Sequence, residues 1–427
     1  MSGAQGWDDI EDWGRAREGW LRRYLKLRNG IPGHDTIRRV FDALSPRQLA
    51  ACFSSWMAQV CPAVSGLVIA IDGKSLRGAA RPACGLRALH QVSAYAAEYG
   101  LTLGPLACQE KSNEITAIGE LLPTLALEGA VVTIDAMGCQ TAIAEQIVDG
   151  GGDYVLAVKD NQPHLAHALR DFFGMLDAPG YPDRQTCVHE TLDKGHGRIE
   201  TRRCTAVGDL DWLATLGLKE RCKKITSVAC IDSSRVIGSK TETDRRYVIS
   251  SLPADSERIL HAVRMHWGIE NGLHWCLDVT FGEDACPIRL RNAALNLSLP
   301  RRAAMNLFRA DQSRSMSLPK NARPLPGTRT TSPISFICGK FDAPALGVAG
   351  RLPIICRNPA ILSRRLTKYD AAGNAKALAP ITRMPPAAWR GRCSSPGKVS
   401  SNARRFIRQT LLSPALPNRE FLSLEPP

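Results

Sequence analysis

Leu67-Val-Ile-Ala-Ile-Asp72-Gly-Lys-Ser75 and Val131-Val-Thr-Ile-Asp135-Ala-Met-Gly138 are short apolar runs that each reach an aspartate. Runs of this length and composition read as strands buried on both faces, which is how a helix-covered sheet reads in sequence. An aspartate at the end of such a strand is held rigidly at the rim of the sheet. Working outward, the pattern predicts strands at 66–72, 88–96, 100–107, 130–135 and 153–159. Helices are expected at 113–126, 139–149 and 162–174. Three successive antiparallel strands, then strand–helix alternation, make an α/β fold: a mixed sheet flanked by helices.

Upstream, residues 1–62 read as a small N-terminal helical region. Trp7, Ile10, Trp13, Trp20, Leu21, Tyr24 and Leu25 recur at roughly helical spacing. Asp35 is the expected N-cap of a helix over 36–44. Ser45-Pro46 supplies a cap and a first-turn proline for another helix to about Val60. Downstream, residues 184–252 read as a β-rich insertion, with strands at 186–193, 197–207, 224–231 and 245–251. Asp255 or Ser256 then caps a helix containing His266-Trp-Gly-Ile-Glu270-Asn-Gly-Leu-His-Trp275. Gly268 and Gly272 each weaken that helix by up to about 1 kcal/mol relative to alanine, so it is expected to bend or break.

The chain has 427 residues and a formal net charge of +14, but the charge is not spread evenly. Residues 311–427 hold 19 Lys and Arg against 5 Asp and Glu, so the whole excess lies there and the first 310 residues balance. Any affinity of the first part for a polyanion must come from local clusters. Fifteen of the 27 prolines also fall in 311–427. That makes a Pro-rich basic tail for which disorder is the expectation. The 14 cysteines include no Cys-x-x-Cys pair, which argues against a zinc ribbon or a redox motif and for buried free thiols. No run approaches the roughly 20 apolar residues of a bilayer span, and no leader pattern opens the chain. A cytoplasmic location is expected.

If the two aspartates sit on neighbouring strands, their carboxylates converge, and Glu270 supplies a third. Three carboxylates suit hard divalent cations such as Mg²⁺, with Mn²⁺ able to substitute. Two ions about 3.5–4 Å apart are the arrangement for cutting a phosphodiester. Three like charges in one pocket also repel, so an empty site is expected to be partly disordered or to hold a proton. Turn chemistry at Asp72-Gly73 and Asp135-Ala-Met-Gly138 is the competing reading.

Nucleic-acid contacts are expected from Lys74 and Arg77 beside Asp72, and from Lys159, Asn161 and Gln162 at the end of the 153–159 strand. Arg198 and Arg202 share one face of a β-ribbon, where they can grip phosphates. Arg264, His266, Trp267 and Asn271 flank Glu270. For Trp267 and Trp275, packing against the sheet is weighed above stacking on an unpaired base. His266, Glu270 and His274 share a helical face but lack the partners of a closed zinc site.

In order along the chain stand Asn29-Gly-Ile-Pro-Gly-His-Asp-Thr36, Ala70-Ile-Asp-Gly-Lys74, Lys111-Ser-Asn-Glu-Ile-Thr116, Thr133-Ile-Asp-Ala-Met-Gly138, Lys159-Asp-Asn-Gln162, His196-Gly-Arg-Ile-Glu200 and His266-Trp-Gly-Ile-Glu-Asn271. With these motifs the chain resembles insertion-sequence transposases of the DDE type, in the branch of the H-repeat-associated proteins. The resemblance runs from about Gly6 to about Pro319. It implies a ribonuclease-H-like catalytic domain at 63–310 that contains the 184–252 insertion. Asp72, Asp135 and Glu270 are its implied catalytic, metal-binding triad. It further implies DNA cleavage and strand transfer at terminal inverted repeats, double-stranded end and target DNA as partners, and work on the bacterial nucleoid, with a homodimer on paired ends.

Departures from the pattern set further expectations. The family usually begins with a further segment containing Asp-Pro-Arg, whereas this chain starts at a point inside that pattern. Tyrosine and arginine seven and four residues before the glutamate, and lysine seven after it, are replaced by Val263, His266 and Leu277. Arg264 is the candidate substitute for the basic group. Pro326–Phe336 can be encoded by codons that read Trp-Asp-Glu-Asp-Tyr-Leu in a shifted frame, so a frame slip near 311–320 is expected. A gene sequence without that shifted reading would remove the idea. Two alternatives stay open: an inactive remnant that only binds DNA, and a ribonuclease-H-like nuclease without strand transfer.

Overall fold

The computed structural model describes residues 4, 6–61, 64–80, 88–108, 114–179, 185–195, 197–217, 219, 222–310, 368–369 and 375–376. Its contacts divide into two units, Met1–Arg357 and Asn358–Pro427. In the second unit the described residues are the two-residue strands Lys368–Tyr369 and Ala375–Lys376, paired antiparallel. The expectations for the rest of the 311–427 tail, and for His196, lie outside the described residues.

The first unit opens with helices α1 (Trp7–Ala16), α2 (Glu18–Leu21), α3 (His34–Ala43) and α4 (Pro46–Val60). Ser45 caps α4 as its sequence predicts, accepting from the Gln48 N–H at 3.4 Å with Pro46 in the first turn. Asp35 does not cap α3. The helix starts two residues earlier than expected, at His34, and Glu11 of α1 accepts from the His34 N–H at 2.6 Å. A carboxylate from a neighbouring helix thus fills the role that local sequence assigned to Asp35.

Strands β1 (Val68–Leu76), β2 (Leu89–Ala96) and β3 (Leu101–Cys108) form an antiparallel run, followed by α5 (Glu114–Leu121), β4 (Val131–Ile134), α6 (Thr141–Asp149), β5 (Asp153–Val158) and α7 (Pro163–Leu176). Four long strands follow: β6 (Thr186–Gly195), β7 (Arg198–Val207), β8 (Ser227–Ile237) and β9 (Lys240–Ser250), with the short α8 (Asp211–Thr215) between β7 and β8. All nine belong to one sheet of order β3-β2-β1-β4-β5-β9-β8-β7-β6. β1, β4 and β5 are parallel, and the remaining pairs are antiparallel. The mixed sheet flanked by helices is ribonuclease-H-like in its strand order. The strands of 184–252 do not stand apart from it, because β9 pairs with β5 and carries the sheet onward.

Alternation along the central strands sends side chains to two cores. Ile69, Ile71, Val132, Ile134 and Leu156 face α4, α5, α6 and α7 in the larger one. Val68, Val131 and Val155 face α9 (Ser256–His266), with Ala70 packed on Ile269 and Leu273 just beyond it. Asp255 caps α9, accepting from the Arg258 N–H at 3.0 Å. α10 (Arg291–Ala310) completes the second face. Seven of the ten described cysteines are buried and in no disulfide, whereas Cys52 and Cys187 are exposed. Among the described residues no helix is long and apolar enough to cross a membrane.

Candidate active site

Parallel pairing of β1 with β4 runs from Val68↔Val131 to Ile71↔Ile134. The next position on each strand is an aspartate, Asp72 on one and Asp135 on the other. β1 does not stop at Asp72, as its turn chemistry suggested, but continues against β2 to Leu76. β4 does stop, and Asp135 turns the chain: its Oδ1 accepts from the Met137 N–H at 3.0 Å and the Gly138 N–H at 3.4 Å. Asp72 and Asp135 therefore stand side by side where two parallel strands part.

Glu270 lies on the helix that packs over this rim, where its neighbours Ile269 and Leu273 meet Ala70 of β1. Past α9 the chain stays helical but widens into π turns at Glu270–His274 and Cys276–Thr280. Such turns concentrate at functional sites, and here they replace the expected break. His266 ties the helix to the sheet through Thr133, with Nδ1 3.1 Å from Oγ1. Gly272 lets the helix approach β2, since a Cβ there would collide with the buried Tyr95 Oη and sit 3.1 Å from its Cζ. Arg309 fastens the same place, donating to Tyr95 Oη at 3.0 Å and to the Gly272 carbonyl. Gly272→Ala is therefore expected to cost about 1–3 kcal/mol by overpacking and to displace Glu270. Tyr95→Phe, which removes the colliding oxygen, should restore part of the loss; thermal melts of the single and double variants measure it.

The electrostatics agree with this convergence. Burial, and then the charges of Glu114, Asp135 and Glu270, push the Asp72 carboxyl up to about 7, although the Gly73 N–H at 2.8 Å favours its charged form. The expected held proton thus falls on Asp72. His274 Nδ1 lies 3.5 Å from Asp72 Oδ2, and burial followed by the charges of Arg302 and Lys74 pushes that imidazole down to about 3. A neutral ring is therefore what faces Asp72.

Among the described residues no three His, Cys, Asp or Glu side chains stand close enough to hold one ion between them. Hard divalent cations need no such trio, because one or two carboxylates with water and phosphate oxygens complete an octahedron. The all-oxygen set of Asp72, Asp135 and the exposed Glu270 fits such ions, and the mutual repulsion felt at Asp72 is what a cation relieves.

The other predicted residues divide. Lys74 is not available to a phosphate: it is 7% exposed and lies 2.7 Å from Asp278, 3.2 Å from Asp284 and 3.4 Å from Glu283. Arg77 is exposed, with its backbone N–H bonded to Asp284 at 3.1 Å. Lys159 is exposed. Asn161 and Gln162 spend their amide groups on the loop after Asp135, donating to the Ala136 carbonyl at 2.6 Å and the Cys139 carbonyl at 2.9 Å. His266 is committed to Thr133.

Arg198, Arg202, Arg264, Trp267 and Asn271 come together in a groove of about 690 Å³ between β7–β9 and α9, joined by Arg235 and Arg246. Glu200 and Asp193 space these arginines: Arg202 bonds Asp193 at 2.9 Å, Arg264 bonds Asp193 at 2.8 Å, and Arg198 and Arg235 bond Glu200. Trp267 and Trp275 are exposed rather than packed against the sheet, and the Arg246 guanidinium lies 4.4 Å from the Trp267 ring centroid. Sequence reasoning missed Arg235 and Arg246, whose only signal was a place on the expected insertion. It also left Glu114 without a role, although its motif was singled out.

A family model described as Transposase DDE domain matches residues 65–307, and one described as DDE_Tnp_1-associated matches residues 1–57. The chain is 39% identical over 320 residues to the H repeat-associated putative transposase YhhI of Escherichia coli (strain K12), covering 73% of this chain and 82% of that protein. It is 39% identical over 317 residues to the putative transposase YncI of Escherichia coli O157:H7, covering 72% and 79%. Among solved structures, a piggyBac transposase synaptic complex with hairpin DNA covers 72% of this chain and 64% of that one, at 10% identity and a TM-score of 0.33.

Proposed function

Because the chain belongs to the DDE-domain transposase family, we propose that it cleaves the ends of a mobile DNA element and joins them to target DNA, with Asp72, Asp135 and Glu270 as its catalytic carboxylates. The observation that carries this reading is the pairing of β1 with β4, which brings Asp72 and Asp135 side by side at one rim. The charge of Glu270 is felt at Asp72 from the helix above. We assign residues 63–310 as the catalytic domain, 1–62 as a helical region beside it, and 311–427 as a tail outside the chemistry.

Divalent ions, Mg²⁺ or Mn²⁺, held by the three carboxylates would offset the charge on a phosphodiester under attack and on its departing oxygen. The chain's own residues do the positioning. The Gly73 N–H fixes one oxygen of Asp72, and the neutral His274 ring lies 3.5 Å from the other. Met137 and Gly138 fix one oxygen of Asp135, and Asn161 and Gln162 hold the loop that bears it. The nucleophile is a water in the cleavage step and a DNA 3′-hydroxyl in the joining step.

DNA would lie along the arginine groove, which is lined by Trp267 and Asn271 from the helix that carries Glu270. Arg198, Arg202, Arg235 and Arg264 would meet phosphates, with Arg77 and Lys159 at the rim. Exposed, Arg-backed Trp267 offers a face for a base. Joining of two ends favours a homodimer acting on chromosomal DNA in the cytoplasm.

Asp72→Asn, Asp135→Asn and Glu270→Gln should each abolish cleavage of labelled terminal-repeat DNA and leave its binding largely intact. Retained cleavage in any variant removes that residue from the site. Joined products from the unaltered protein support transposition. Binding without nicks supports an inactive remnant, and nicks on unrelated sequence support a plain nuclease.

A further inference from the structure

Beneath Gly73, on the face of β1 opposite Asp72, lies a buried hydrogen-bonded chain that the proposed chemistry does not use. Ser75 Oγ is 3.1 Å from His90 Nδ1, and His90 Nε2 is 3.0 Å from Glu114 Oε2. His90 and Glu114 are 3% and 4% exposed. Each comes from a different element: Ser75 from β1, His90 from β2 and Glu114 from the first turn of α5. The pair fills the space a side chain at Gly73 would need, since a Cβ there would run into His90 Nε2 and lie 2.6 Å from Glu114 Oε1. Only glycine fits above it.

A carboxylate this deeply buried costs folding free energy unless something recovers it. A core that needed only packing would use an apolar residue at 114, as it does at the neighbouring Ala117, Ile118 and Leu121. Glu114 sits under the peptide whose N–H is donated to Asp72, close enough that its carboxylate fills the space above which only Gly73 fits. It therefore acts on the site from behind in two ways. It fixes the Gly73 peptide, and so the orientation of the Asp72 carboxylate. It also adds negative potential where cations are to be held.

From this geometry we infer that Glu114, locked by His90 and Ser75, is a positioning residue for Asp72 that sets the site's affinity for divalent cations. The inference rests on the proposed role of Asp72. It assigns a task to the Lys111–Thr116 motif, whose residues 111–113 lie outside the described residues. Residues one step removed from a metal ligand commonly change affinity by about 10–100-fold when altered.

The test uses the full chain and Mn²⁺ alone as the probe, with bound ion counted by electron paramagnetic resonance and without DNA. Glu114→Gln keeps the volume and a hydrogen bond to His90 but removes the charge. It should weaken Mn²⁺ binding by about 10–100-fold, with thermal unfolding of the metal-free protein and DNA binding little changed. The Mn²⁺ concentration giving half-maximal cleavage should rise in parallel, and Glu114→Asp should recover part of the loss. Unaltered Mn²⁺ affinity in folded Glu114→Gln overturns the inference. If Glu114→Gln does not fold, Ser75→Ala and His90→Gln carry the test, and wild-type affinity in both overturns it. Failure of the unaltered protein to bind Mn²⁺, or of Asp72→Asn to lose binding, would instead count against the proposed function itself.

Discussion

Asp72→Asn is expected to make the metal-free protein more stable at pH 8 while it ends cleavage, so the two properties should move in opposite directions. The folded carboxyl titrates near 7 because it is buried among Glu114, Asp135 and Glu270, against an ordinary value of 3.8. Between those pH values the folded chain holds a proton that the unfolded chain has released. Stability of the metal-free protein must then fall as pH rises from about 4 to about 7, and level off above. The gap bounds the effect at about 4 kcal/mol. With the Asp72 side chain 21% exposed, water screening lowers the expectation to roughly 2–3 kcal/mol. Asparagine carries no charge at any pH and escapes the loss. Urea unfolding in a chelator, at pH 4 and pH 8, reads it directly: the variant should nearly match the unaltered protein at pH 4 and exceed it at pH 8. Parallel curves at both pH values would mean that Asp72 ionises without strain and that the carboxylates do not converge. Added Mn²⁺ should stabilise the unaltered protein and leave Asp72→Asn nearly unmoved.

Much of this site is legible in the chain because it is built from local patterns. The apolar runs ending at Asp72 and Asp135 announce two buried strands, and the register makes them the neighbours that a shared carboxylate site requires. Ser45-Pro46 and Asp255 declare helix starts that the structure keeps. What the sequence hides is set by partners far away along the chain. Lys74 reads as a cation beside a phosphate site, yet Asp278, Glu283 and Asp284 enclose it from some two hundred residues downstream. Asp35 reads as a cap until Glu11 arrives from another helix. The strands of 184–252 read as an insertion, and nothing local tells that β9 will extend the edge at β5. Trp267 and Trp275 have the composition of core residues, and only the helix rotation fixed by Ile269 and Leu273 turns them outward. Glu114 illustrates the same limit, since its pairing with His90 depends on where α5 lands.

Arg302→Met should be among the most damaging single changes to the fold, costing about 3–5 kcal/mol. Arg302 on α10 is fully buried, and its Nη1 meets Glu283 Oε1 at 2.9 Å and the Ser298 carbonyl at 3.2 Å. Its Nε and Nη2 have no hydrogen-bond partner, so the guanidinium depends heavily on that one carboxylate. Glu283 is just as enclosed and passes the interaction on to Lys74, which also meets Asp278 and Asp284. Removing Arg302 leaves a buried anion with only a shared lysine. Lys74 is two residues from Asp72 on the same strand face, so its displacement reaches the rim that holds Asp72 and Asp135. Had the network been merely stabilising, replacing both ends by apolar groups would be as costly as replacing one. Buried ion pairs behave otherwise, because the desolvation they suffer nearly cancels their attraction. Arg302→Met with Glu283→Leu is therefore expected to recover most of the stability lost in either single variant, while cleavage stays impaired because Lys74 has lost an anchor. A urea double-mutant cycle with parallel cleavage assays separates the two effects. Additive losses in stability would show that the network does not couple its members, and a double variant that cleaves normally would show that it does not steer Asp72.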